Sequence, residues 1–276
     1  MNYRHGYHAG NFCDVFKHTV LMSLLKSLQK KITAFGYLDT HAGSGSYDLR
    51  SPEAQKSREY ENGIKKIWRA DSPPLLIKEY LEIVKTLNSS SALQFYPGSP
   101  LIASHLLRSQ DRAVLIEKHP REQRAVQKLF SRKKKVHVHL LDAYQSLKAF
   151  LPLTEKRGLI LIDPPYEKDE IALLTESLPI ALKRFEGGIY AIWYPIKQKT
   201  DIEKFYRKIR AAIERPFLVV ELCIFPPDSP LHLNGCGMII INPPWQLKNE
   251  INTYLPWVWE TLSIDKAGHH QIFKYE

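Results

Sequence analysis

At 276 residues and 44% hydrophobic composition, the chain has the length for one large α/β domain or two small ones and the apolar content to fill a core, which excludes a disordered or fibrous polypeptide. Its 39 Lys and Arg against 29 Asp and Glu leave a formal charge of +10. Such a balance points to a polyanion, nucleic acid first, with a merely soluble basic surface as the alternative.

The N-terminus MNYRHGYHAGN has no apolar signal region, and the longest apolar runs, over 159–162 and 237–241, are too short to span a bilayer. A cytoplasmic protein is expected. Cys13, Cys223 and Cys236 are odd in number and show no CxxC spacing, so reduced, packed thiols are expected rather than a disulfide framework or a zinc site.

In chain order, helical periodicity begins over 14–28, where Asn11 and Asp14 form a weakened capping box. Strand patterns follow over 34–39, 113–117, 136–140, 158–162, 188–193, 217–225 and 237–241, with helical patterns over 121–130, 170–183, 202–213 and 247–261. Strands alternating with helices predict a doubly wound, mostly parallel sheet of seven strands. The link from residue 39 to residue 113 is far longer than a single crossover helix requires. It contains two polar helical patterns, 55–69 and 75–87, parted by Asp71-Ser72-Pro73-Pro74. Residues 51–95 are therefore expected to be a small inserted helical subdomain, touching substrate or serving as a structural lid, with 1–50 and 96–276 as the core.

The strand ends carry the chemistry. DTHAGSGSY, 39–47, is a Gly-rich turn after the first strand, in which Gly43 and Gly45 allow close approach of backbone to a ligand. It is neither a full dinucleotide fingerprint nor a Walker A loop. The next three strands deliver Glu117, Asp142 and Asp163 near their carboxyl ends. Each acid alone could be a cap or turn residue; in register with a Gly turn, the three favour a nucleoside cofactor, Glu117 suiting a ribose diol.

With the Gly turn, the ribose acid, Asp142 and the sequence Asp163-Pro164-Pro165-Tyr166, the chain resembles class I S-adenosylmethionine-dependent methyltransferases, whose amino-methylating members carry [DNS]-P-P-[YFW]. More closely, YRHGYHAGNFCDVFKHTVL, LDTHAGSGSY, QFYPGSPLIA, GLILIDPPYE, YAIWYPI and GMIIINPPW resemble the bacterial 23S ribosomal RNA adenine-N6 methyltransferases that modify adenine 2030. This resemblance runs from Tyr3 to about Trp257. It implies a Rossmann-like core with an inserted helical subdomain, a monomer, S-adenosylmethionine as methyl donor with no metal, and 23S ribosomal RNA as partner. Carried over residue by residue, it implies cofactor contacts at Lys17, His18, His41, Gly43, Ser99, Glu117, Asp142, Ala143 and Asp163, with Tyr3 near the target adenine. The chain departs from the family pattern at Ala143, where relatives carry glycine, so only a backbone contact transfers there. On its own surroundings His18, between Val15 and Met22, is a packed helical histidine; its cofactor role comes from the resemblance.

The residue types suit the chemistry. The exocyclic amine of adenine is a poor nucleophile because its lone pair is delocalised into the ring. Asp163 and the carbonyl of Pro164 can each accept one of its hydrogens and direct the lone pair at the methyl group, while Tyr166 offers a face for base stacking. Asn242-Pro243-Pro244-Trp245 satisfies the same signature, but its strand is expected to run antiparallel and end at the opposite edge of the sheet. Its prolines are expected to stop that strand, with Trp245 packed on the core. A DNA adenine or cytosine amino-methyltransferase, and a catalytically silent RNA-binding protein of the same fold, are the other two readings. The run Arg132-Lys133-Lys134-Lys135 is either an RNA-backbone contact or a solvated loop.

Overall fold

The structure, a computed structural model, describes residues 4–89, 92–167, 169–226, 229 and 233–276. Its strands are β1 (Gly36–Asp39), β2 (Ser46–Asp48), β3 (Phe95–Pro97), β4 (Arg112–Glu117), β5 (Val136–Leu140), β6 (Gly158–Ile162), β7 (Ile189–Ile196), β8 (Phe217–Cys223), β9 (Gly235–Ile241) and β10 (His269–Tyr275). Its helices are α1 (Phe12–Gln29), α2 (Pro52–Ser57), α3 (Ile64–Arg69), α4 (Leu75–Thr86), α5 (Ser99–Leu106), α6 (Pro120–Leu129), α7 (Ala143–Phe150), α8 (Glu170–Arg184), α9 (Lys199–Ile213), α10 (Leu247–Asn252) and α11 (Leu255–Leu262).

Eight strands form one sheet in the order β10-β8-β9-β7-β6-β1-β4-β5. The run β7-β6-β1-β4-β5 is parallel throughout, and β9 lies antiparallel between β7 and β8. The order reverses on either side of β1, between β4 and β6, which is where open α/β sheets leave a crevice beyond their carboxyl ends. Along β6 the side chains alternate between two cores, Leu159 and Leu161 facing α1 and α5, Ile160 and Ile162 facing α8 and α9. Both faces of this strand are covered, which is why it reads as an unbroken apolar run.

The sheet has one strand more than the seven expected. β10 pairs antiparallel with β8 at the edge, and its half-exposed HHQIFKY carries histidines and a lysine that a solvent-facing edge tolerates but an apolar pattern does not reveal. The expected helix over 247–261 is divided into α10 and α11, since Pro256 sits in the first turn of the second. All three cysteines are free and buried.

Residues 52–86 form α2, α3 and α4 in place of the two helices read from periodicity. The break falls at Arg58, in the left-handed region at φ 53°, and at Gly63, where an added Cβ would stand 2.1 Å from the carbonyl oxygen of Gly10. The amide of Ile64 donates to that same carbonyl at 2.8 Å. Only glycine lets the two backbones approach so closely. Ile64, Ile67, Ile77 and Tyr80 enter the core shared with α1, so these helices are packed on the sheet domain rather than set apart from it. Glu59 accepts from Asn11 Nδ2 at 3.0 Å and bonds His8 Nδ1 at 2.9 Å, which braces the N-terminal segment.

Asn242 ends β9 beside the start of β7, at the edge of the sheet opposite the crevice. At φ 55° it turns its side chain back, and Nδ2 donates to the carbonyls of Glu186 and Gly188, both at 2.7 Å. Trp245 corrects an expectation: it is 96% exposed and is not packed on the core. Pro243 and Pro244 carry the chain away from the sheet, and the buried side chains of Leu247 and Ile251 on α10 fill the space instead. Asn242→Ala is expected to remove two hydrogen bonds and place alanine in an unfavourable backbone region, costing about 0.5–2 kcal/mol of stability. Thermal melting checks this; an unchanged midpoint would mean that the turn is held by other contacts.

Candidate active site

The carboxyl ends of β1, β4, β5 and β6 surround a cavity of about 580 Å³, within the range that holds cofactor-sized ligands. One wall is the Gly turn. Gly43 adopts φ 58°, and a Cβ there would lie 2.2 Å from Tyr47 Oη, so the turn both needs glycine and leaves its backbone bare. The amide of Gly43 donates to Glu117 Oε2 at 2.8 Å, and the amide of His119 donates to Oε1 at 2.7 Å. This carboxylate is therefore fixed at the end of β4. Burial raises its pKa, against the pull of those two amides.

Below the turn, Asp39 is fully buried and accepts from Tyr37 Oη and Ser99 Oγ, both at 2.8 Å, and from the His41 amide at 3.2 Å. Burial lifts its pKa to about 6 despite these donors. Ser99 opens α5 and holds that helix against the end of β1. His41 bonds Thr40 Oγ1 at 2.8 Å and sets its ring edge towards Tyr144; burial lowers its pKa to about 4, so it is neutral at pH 7.

Beyond β5, Asp142 caps α7 by accepting from the amides of Tyr144 and Gln145 at 3.0 and 3.2 Å, and Lys118 Nζ lies 3.0 Å from its other oxygen. Ala143, the first residue of that helix, lines the cavity next to it. Tyr144 Oη donates to Glu170 Oε1 at 2.6 Å, which ties α7 to the start of α8.

The floor is a buried charge cluster contributed largely by α1. Asn11 caps the helix by accepting from the Asp14 amide at 2.9 Å, as its sequence pattern predicts. The Asp14 side chain turns instead to Gly10 N at 2.9 Å, His5 Nε2 at 3.0 Å and Lys17 Nζ at 2.8 Å. The same ammonium reaches across to Asp163 Oδ2 at 2.5 Å, joining α1 to the end of β6. Burial alone would lower the pKa of Lys17, but the two carboxylates outweigh it and hold the pKa well above the ordinary lysine range. His18, one position on, bonds Tyr96 Oη at 2.7 Å, and burial drives its pKa down to about 3, so the ring is neutral.

Lys17, His18, His41, Gly43, Ser99, Glu117, Asp142, Ala143 and Asp163 all line this one cavity. Pro165 lines it too, whereas Pro164 is buried behind it and Tyr166 stands to one side. Tyr166 is in the left-handed region at φ 50°; its hydroxyl donates to the Trp193 carbonyl at 2.8 Å, and its ring meets Trp193 and Phe205 edge to face. Tyr3 lies outside the described residues, but Arg4 and His5 line the cavity. Sequence reasoning missed the roles of Asp14, His5, Asp39, Lys118 and Tyr144. For Asp14 the capping box was the signal, because its carboxylate stands one turn before Lys17 on the same helix face.

Comparison with known proteins agrees with this geometry. A family model described as ribosomal RNA large subunit methyltransferase D, RlmJ, matches residues 32–273. Two relatives named ribosomal RNA large subunit methyltransferase J, from Escherichia coli K12 and Haemophilus influenzae, are each 42% identical over 270 residues. The alignments cover 98% and 97% of this chain and 96% of each relative. A solved structure from Legionella pneumophila superposes with a TM-score of 0.87 at 38% identity, covering 97% of this chain and 98% of that one. The chain belongs to the RlmJ family of ribosomal RNA large subunit methyltransferases.

Proposed function

We propose that the protein transfers a methyl group from S-adenosylmethionine to the exocyclic N6 of an adenine in 23S ribosomal RNA, acting as a cytoplasmic monomer. The observation that carries this reading is the convergence of Glu117, Asp142 and Asp163 on one cavity at the reversal of the sheet order, in a chain of this family.

The residues fit that methyl donor. Glu117 spends one acceptor site of each oxygen on a backbone amide and retains others for two vicinal ribose hydroxyls. The bare backbone at Gly43 permits close approach, and Asp142 with the start of α7 offers polar groups to an adenine ring. When bound, the donor supplies an electrophilic methyl group on a sulfonium. Asp163 has Oδ2 engaged by Lys17, which fixes the carboxylate plane and leaves Oδ1 to accept one hydrogen of the target amine. The Pro164 ring is buried behind the cavity, but its carbonyl, bonded to the cavity-lining Pro165 and kept out of helical pairing by it, accepts the second. These two acceptors favour a pyramidal nitrogen with its lone pair aimed at the methyl carbon. Tyr166, anchored through its hydroxyl to one side of the cavity, offers an extruded base that reaches past Pro165 a fixed aromatic face worth ~1–3 kcal/mol. After transfer the extra proton on nitrogen passes to Asp163 or to water.

The test is incubation with labelled S-adenosylmethionine and, side by side, unmodified ribosomal RNA, DNA and transfer RNA. Label is expected in the large-subunit RNA at an adenine N6. Label in DNA alone would sink the reading in favour of a DNA amino-methyltransferase, and binding without any label would favour a silent RNA-binding protein. Glu117→Gln is expected to weaken cofactor binding by about 1.5–3 kcal/mol, the range for hydrogen bonds to a charged group. Calorimetry giving wild-type affinity in a folded variant would remove Glu117 from the ribose site.

A further inference from the structure

The excess positive charge of this chain is concentrated in one place. Between residues 121 and 135 stand Arg121, Arg124, Lys128, Arg132, Lys133, Lys134 and Lys135 against a single acid, Glu122, so this segment supplies +6 of the formal +10. All seven basic side chains are exposed. None has a carboxylate within 4.0 Å among the described residues. Some exposed basic groups elsewhere are paired, Arg50 with Asp48, Arg58 with Glu61 and Lys85 with Glu82, and those left unpaired are scattered over the surface among acids instead of forming a run with a single acid.

The arrangement is directional. Val126 and Gln123 turn one face of α6 inward, and Arg121, Arg124 and Lys128 recur at three- and four-residue spacing on the outer face. The helix starts at the cavity, where Lys118, His119 and Arg121 line the wall, and leads away from it to the loop holding Arg132 to Lys135. From Arg121 to Lys128 the helix rises roughly 10 Å. One strand of a nucleic acid duplex presents about three phosphates over that rise. A row of unpaired cations that begins at the lip of a base-modifying site and matches phosphate spacing suits a polyanion whose target nucleotide enters the cavity.

We propose that the outer face of α6 and the adjoining loop, from Arg121 to Lys135, form the docking ridge for the RNA backbone next to the target adenine. This rests on the function proposed above and adds to it the surface that positions the substrate. Arg121 contacts the nucleotide at the mouth, while Arg124, Lys128 and Arg132 bind successive phosphates without reading sequence.

The experiment compares Arg124→Gln/Lys128→Gln/Arg132→Gln with a control, Lys156→Gln/Lys183→Gln/Lys248→Gln, which removes the same charge from exposed sites at the opposite edge of the sheet. Affinity for a ribosomal RNA fragment is measured against salt, alongside methyl transfer, cofactor calorimetry and melting. In the ridge variant the slope of log affinity against log salt is expected to fall by roughly 2, at about 0.7 per phosphate on single strands. KM for RNA should rise about tenfold or more at physiological salt, with kcat, cofactor affinity and melting unchanged. The control should bind as the wild type does. Wild-type affinity and slope in the ridge variant, or equal losses in both variants, would overturn the proposal. The two readings fail separately, because a wild-type protein that leaves RNA unlabelled removes the proposed function, whereas unaltered binding by the ridge variant removes only the ridge.

Discussion

Lys17→Met is expected to destabilise the protein by about 3–5 kcal/mol, the cost of removing one partner from a buried ion pair. Lys17 is 5% exposed and is the only cation among the described residues bonded to both Asp14, at 2.8 Å, and Asp163, at 2.5 Å. Without it two carboxylates face each other in a desolvated floor, with His5 and the Gly10 amide left to Asp14 alone. The pH dependence gives the effect a signature. Burial would raise the pKa of Asp14, but His5 and Lys17 outweigh it and hold the carboxyl well below the ordinary range. A depressed acid contributes stability that is present above its unfolded pKa and is lost as pH falls through the folded value. In the variant that depression is reduced, so the gap in melting temperature between variant and wild type should hold from pH 7 down to about 4 and narrow only as the pH falls further, towards the folded value. Adding Asp163→Asn to Lys17→Met should recover part of the loss, since the second change removes one of the stranded charges. Equal melting of Lys17→Met and wild type at pH 7 would show that the pair contributes nothing. Turnover should fall as well, because the plane of Asp163 is set by this ammonium.

Legibility from the sequence followed the range of the interactions. β4 and β6 were visible because each is a short apolar run ending in an acid, and the sheet geometry then carries those acids to one edge. Strand direction was legible too, and with it the separation of Asp163 from Asn242. Contacts between distant segments were not. Lys17 and Asp163 are 146 residues apart, and the periodicity of α1 places Lys17 on a buried face without naming what it meets there. Asp39 was legible only as the junction of the first strand and the Gly-rich turn, yet it is a fully buried acceptor, because its donors come from Tyr37 on the same strand and Ser99 on another element. Trp245 misled for the opposite reason: hydrophobicity argues for burial only where a neighbouring element offers a surface, and two prolines had already led the chain away from one. The helices between β1 and β4 were recognisable by the length of that link, but the break at Gly63 depends on close approach to Gly10, which no local propensity encodes.

Asp163→Ala is expected to lower the single-turnover rate of methyl transfer by ~10²-fold or more, the range for losing an oriented acceptor or base at the reacting atom. Asp163 is the one strand-end carboxylate that both lines the cavity and is clamped by Lys17, so its loss removes an amine acceptor and also frees the lysine from half of its pairing. Asp163→Asn separates the two effects. The amide keeps an oxygen that can accept from the amine but carries no charge to match Lys17, so a rate between those of wild type and Asp163→Ala would assign the greater part of the loss to hydrogen-bond geometry. A rate equal to that of Asp163→Ala would assign it to the charge. The control is Asn242→Ala, whose side chain bonds two carbonyls at the far edge of the sheet and which should melt earlier while transferring methyl at nearly the wild-type rate. All rates must be taken at saturating cofactor and RNA, since the carboxylate is close enough to the cavity floor for its loss to weaken cofactor binding as well. Normal transfer by Asp163→Ala together with abolished transfer by Asn242→Ala would place the reacting amine at the opposite edge of the sheet and sink the site described above.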